Sequence, residues 1–120
     1  MSQNLTPNPA QSLTIKEIFA PALGIPVERA AYRGDAPAYL LYSCLGQDGT
    51  IYADGKEAET GVMFALELYS RGNWLPILTL IRQTAEANDM IVVVEADTRE
   101  ADTGLYHLSM TLYRVGADYG

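Results

Sequence analysis

The residues in this chain whose types could do chemistry are few: one histidine, His107, one cysteine, Cys44, and several acids in close spacing. A histidine-based triad needs a hydroxyl or thiol nucleophile beside the imidazole, and no residue of the sequence is placed to supply one. A zinc site would have to recruit carboxylates alone around His107. Because His107 falls on the more polar face of an alternating segment, it reads as a surface or interface side chain. Cys44 sits in an apolar run with no neighbouring base, so it reads as a buried, inert thiol. A lone cysteine also excludes an internal disulfide and a multi-cysteine metal site, in keeping with a reducing compartment. Two Asp-Gly steps, Asp48-Gly49 and Asp54-Gly55, followed by Glu57 and Glu59, suggest calcium. The spacing fails, since Thr50, Ile51, Tyr52 and Ala53 occupy the interior where alternate ligands belong. Glu95 and Asp97, two apart in a strand, could face one way as a carboxylate pair, yet with no pocket or base they read as hairpin surface. No GxxxxGK[ST], GxGxxG or HExxH run is present. The expectation is no catalytic residue, no cofactor and no metal: a non-enzymatic protein.

The elements that must position these residues follow from composition and pattern. At 120 residues, 48% hydrophobic and 19% charged, the chain is the size of one globular domain. Residues 1–12 read as a flexible N-terminal arm, 13–116 as a single domain and 117–120 as a loose C-terminus. The first stretch has no basic region followed by an apolar run, and no segment approaches the apolar length of a membrane span. The net charge of -7 comes from fifteen acids against eight bases, and the bases are scattered singly. Specific nucleic-acid binding, which needs clustered Lys and Arg, is not indicated.

Residues 13–23 carry a helical stripe of Ile15, Ile18, Phe19 and Ala22, with Thr14 as N-cap, Glu17 completing a capping box, and Gly24 and Pro26 ending it. Pro21, an interior proline, leaves two outcomes open, an irregular helix or a stop near Ala20. Residues 38–45 and 61–70 predict strands. Between them residues 46–60, with both Asp-Gly steps, predict a protruding arm. Along 61–70, Val62, Phe64, Leu66 and Leu68 take one face and Met63, Ala65, Glu67 and Tyr69 the other. The second face is too apolar for plain solvent and suggests partial cover by another surface. Asn73 caps a second helix bearing Trp74, Ile77, Leu78, Ile81 and Ala85. Strands follow at 90–96 and 104–115, the last with Tyr106, Leu108, Met110 and Leu112 opposite His107, Ser109, Thr111 and Tyr113. The expected fold is α+β: a four-stranded mixed or antiparallel sheet with two helices on one face, in the order α-β-β-α-β-β.

Read in order, Leu23-Gly24-Ile25-Pro26-Val27, Pro37-Ala38-Tyr39-Leu40-Leu41-Tyr42, Tyr52-Ala53-Asp54-Gly55, Phe64-Ala65-Leu66-Glu67-Leu68-Tyr69-Ser70 and residues 100–106 resemble the tail terminator proteins of long-tailed phages and prophages. These are also described as tail-completion or tail-to-head joining proteins. The resemblance spans residues 13–115. It implies a virion structural role: a ring of copies, commonly a hexamer, that caps the tail tube and joins it to the head connector. The implied partners are a second copy, the tail tube protein and the head connector protein, with no membrane. The implied location is the virion tail, and the host cytoplasm during assembly. Interface residues expected on this reading are Tyr52, Asp54, Met63, Ala65, Tyr69 and His107. The alternative is a small ligand-binding or regulatory domain that uses the same sheet as a pocket floor.

Overall fold

The computed structural model describes residues 8–46 and 63–114. In chain order these form α1 (Asn8–Leu23), β1 (Val27–Arg29), β2 (Ala38–Gly46), β3 (Met63–Ser70), α2 (Leu75–Ala87), β4 (Met90–Arg99) and β5 (Tyr106–Arg114). The fold is α+β, with a mixed sheet in the order β1-β2-β3-β5-β4.

Five strands replace the expected four. The addition is β1, whose three residues are too short to show a period of two and are held instead by pairing. It runs parallel to β2 with Val27 beside Leu40. Leu40 N–H donates to the Pro26 carbonyl at 2.9 Å and Ala30 N–H to the Tyr42 carbonyl at 2.9 Å. The element order is therefore α-β-β-β-α-β-β. β2, β3, β5 and β4 pair antiparallel in turn. Two antiparallel steps make β3 and β4 parallel, and parallel strands need a crossover, which α2 supplies.

Both helices differ from expectation at an end. α1 starts at Asn8, so Thr14 lies inside the helix and not at its N-terminus. Pro9 falls in the first turn, where a missing N–H costs no hydrogen bond. The helix runs through Pro21 to Leu23, the end read from Gly24 and Pro26. It ends where Gly24 takes φ +68°, a conformation that favours glycine, and donates its N–H to the Ala20 carbonyl at 3.0 Å. At the start of α2 the Asn73 side chain accepts from the Leu75 N–H at 3.0 Å, while Trp74 occupies the formal cap position with no side-chain bond.

The core lies between the helices and one sheet face. Ile15, Phe19 and Leu23 recur every four residues on α1, and Leu78, Ile81 and Ala85 line α2. They meet Leu40 and Tyr42, Phe64, Leu66 and Leu68, Leu108, Met110 and Leu112, and Met90 and Val92. β3 shows strict alternation between buried and half-buried residues, matching the two faces read from its sequence.

Two further expectations fail. β4 continues past Ala96 to Arg99, because a bulge between Val94 and Ala96 lets it keep pairing with β5. Cys44 is exposed, not buried. It lies opposite Phe64 beside the register shift that ends β2, at the margin of the packed region. The expected arm begins on Gly46, the last residue of β2, and beyond it Tyr52, Asp54 and Val62 lie outside the described residues.

Candidate interface on the open sheet face

Strand alternation delivers a defined set of side chains to the face away from the helices: Tyr39, Leu41 and Ser43 of β2; Met63, Ala65, Glu67 and Tyr69 of β3; His107, Ser109, Thr111 and Tyr113 of β5; Ile91 and Val93 of β4. Neither helix packs there, and each open-face position of β3 is half-buried. The face has two different ends. Met63, Tyr113 and Ile91 are paired across three strands and form an apolar row, with Ala65, Thr111 and Val93 forming the next. Ile91 is 52% exposed and Val93 42%.

At the other end the cross-strand pairing of Tyr39 with Tyr69 and of Tyr69 with His107 builds a run of stacked rings. Tyr39 and Tyr69 lie 5.0 Å apart at 15°, and Tyr69 and His107 4.3 Å apart at 14°. Tyr32, from the loop after β1, extends the run at 4.6 Å from Tyr39. Its hydroxyl accepts from the Ala36 N–H at 3.0 Å. Gly34 packs against the Tyr32 ring, which an added Cβ would push out of its place beside Tyr39.

Carboxylates are fixed between the two ends. His107 Nε2 lies 2.5 Å from Glu67 Oε1, the same oxygen that accepts from Ser109 Oγ at 3.0 Å. Glu100 Oε2 stands 3.7 Å from the other ring nitrogen. Thr111 Oγ1 donates to Glu95 Oε2 at 3.0 Å. Burial holds the Tyr69 phenol above its ordinary range, with Glu67, Glu100 and Tyr39 adding to the effect. Tyr39 is raised by burial first, then by Glu100 and Tyr32.

This arrangement organises a surface, and among the described residues it assembles no reactive pair. Ser109 gives its hydrogen bond to Glu67, so the imidazole has no nucleophile to activate. Glu95 and Asp97 do not act as a pair. The bulge places Glu95 against Thr111 on the open face, while Asp97 falls opposite Leu108 of the core face. Among the described residues no group of three or more His, Cys, Asp or Glu side chains is placed to hold a metal ion. The helix-side surface has a shallow depression of about 500 Å³ lined by Arg71, Gly72, Asn73, Trp74, Leu75 and Tyr106.

Of the interface residues expected from sequence, Met63, Ala65, Tyr69 and His107 share the open face, Met63 and Ala65 in the apolar rows and Tyr69 and His107 in the ring run. Sequence reasoning missed the Glu67–His107–Ser109 network and the recruitment of Tyr32. The first was within reach once β3 and β5 were paired in register; the second depends on a loop with no periodicity.

No protein-family model matches this sequence, and no curated protein matches it. Among solved structures, a chain from the virion of a native gene transfer agent particle is similar with a TM-score of 0.49 and 13% sequence identity, the match covering 87% of each chain.

Proposed function

We propose that this chain is a non-enzymatic structural subunit of a phage-type tail, forming a ring that caps the tail tube and joins it to the head connector. The single observation that carries the reading is the open sheet face, whose ordered rings, fixed carboxylates and exposed apolar rows make up a surface suited to being covered. A small domain has little reason to hold Ile91 and Val93 in water beside a pre-arranged polar network unless another surface meets them. The resemblance of residues 13–115 to tail terminator proteins supplies the kind of assembly. A net charge of -7 suits a ring through which DNA passes, because an acidic lining repels the phosphate backbone. Met63, Ala65, Tyr69 and His107 are the residues proposed to be covered on assembly.

The test is tail assembly with purified components. Tail tubes polymerised with the protein present should stop growing, show a ring of density at one end by electron microscopy and become competent to bind heads. Tubes that continue to elongate and carry no added density, in the presence of folded protein, would remove this reading.

A further inference from the structure

We propose that the open sheet face of one copy packs against the Arg71–Leu75–Tyr106 depression of a second copy, making a head-to-tail contact that repeats from subunit to subunit. The inference rests on the ring reading above and names the two surfaces that would close it.

Exposed large apolar side chains mark both surfaces. One is the apolar end of the open face, with Ile91, Val93 and Tyr113; the other is the start of α2, where Leu75 is 56% exposed beside Trp74. Their charges are opposite. The open-face positions of β3, β4 and β5 carry Glu67 and Glu95 and neither Lys nor Arg. The depression is lined by Arg71, and Arg99 stands over the Tyr106 ring at 5.3 Å from its centre. Among the described residues neither arginine is ion-paired with a carboxylate. Apolar patches with opposite charges around them are what a self-complementary but asymmetric contact requires.

Two other ways for copies to meet are disfavoured. A two-fold contact between open faces would bring two acidic surfaces together, with neither Lys nor Arg on those β3, β4 and β5 positions to offset Glu67 and Glu95. Pairing through the free edge of β4 is obstructed by its bulge and by Glu95 and Asp97, devices that protect an edge from strand addition. Position completes the argument. The apolar row lies where Met63 pairs with Tyr113, and the depression lies where Ser70 pairs with Tyr106, at the opposite ends of the same strands. Surfaces so placed cannot satisfy each other within one chain, so each copy uses one on either neighbour, and the assembly closes into a ring or continues as a filament.

Charge reversal tests this on the full chain, by light scattering behind size exclusion over a wide concentration range. Wild type should associate in a concentration-dependent way. Arg71→Glu and Glu95→Lys alone should each weaken association by roughly tenfold or more. Mixing the two variants, or combining both changes in one chain, should restore it, since each contact then pairs opposite charges again. Circular dichroism and thermal unfolding of each variant establish that the fold is kept. A monomeric wild type at every concentration, unaffected single variants, or no recovery on mixing would overturn the contact. Wild type that strengthens as a two-fold pair when mixed with Glu95→Lys would assign the open face to itself instead. Failure here is distinct from failure of the tail role: a strictly monomeric protein that still caps tubes loses only this contact, and a self-associating protein that never caps them loses only the tail.

Discussion

Adjacent residues of β3 should respond in opposite ways to substitution, because Phe64 faces the core and Ala65 the open side. Phe64 is 4% exposed and lies between Cys44 and Leu112 on the neighbouring strands. Truncating a buried phenylalanine to alanine costs about 3–5 kcal/mol through lost transfer energy and the cavity left behind. A domain of this kind has about 5–15 kcal/mol in total, so Phe64→Ala should remain folded at a much lower urea midpoint. Phe64→Asp adds an unpaired buried carboxylate, worth a further several kcal/mol, and should leave no cooperative folded state. Ala65 lies opposite Ser43 and Thr111 with no helix above it. Ala65→Asp therefore removes no core contact, and its cost should stay within about 1 kcal/mol, chiefly repulsion from Glu67 on the same face. Urea unfolding followed by circular dichroism and by Trp74 fluorescence gives both numbers. The same Ala65→Asp protein should associate less well, because the charge sits in the apolar rows. Equal destabilisation by Phe64→Ala and Ala65→Asp would mean that both sheet faces are packed within one chain, and the open-face reading would then be wrong.

Raising the pH should destabilise the protein through its tyrosines. Tyr39 and Tyr69 are raised mainly by burial, as is Tyr42, where Lys16 and Arg29 pull the other way. The folded state thus holds these phenolic protons more tightly than the unfolded chain, so stability is fully present below about pH 10 and falls as pH rises through the folded-state values. Tyr69→Phe should flatten that fall in the urea midpoint; an unchanged slope would contradict the assignment. His107→Ala loses a stacked ring and one bond to Glu67, which keeps Ser109 as donor, so a lower urea midpoint, worth about 1–2 kcal/mol, and weaker tail joining are expected. A His107→Ala protein that joins tails as well as wild type would remove His107 from the covered face. Gly24→Ala meets open space but must keep φ +68°, so thermal unfolding should register a loss of about 1 kcal/mol from backbone conformation alone.

Much of this structure is local enough to be legible in the chain. The alternation of Phe64, Leu66 and Leu68 against Met63, Ala65, Glu67 and Tyr69 assigns two faces to β3 whatever it pairs with, because successive side chains of a strand must diverge. The same rule separates Leu108, Met110 and Leu112 from His107, Ser109 and Thr111, and helical spacing picks out Phe19 and Ile81 as core residues. The sparse set of reactive residues, the acidic balance and the α+β class follow from counting and pattern. Where the reading failed, non-local terms decide. β1 exists only because β2 offers an edge, and Cys44 is exposed because the packed layer ends beside the β2 register shift. Glu95 and Asp97 are parted by a bulge that depends on the β5 register.

What the sequence alone determined, then, is which residues share a face. The tertiary structure decided the order in which those faces lie side by side: β5 inserted between β3 and β4, so that His107 lands on Tyr69 and Glu67 while Ile91 and Val93 join the far end of the same sheet. Periodicity fixes direction at each residue, but neighbours across strands come from long-range pairing, whose register is set only when all the core faces are buried together.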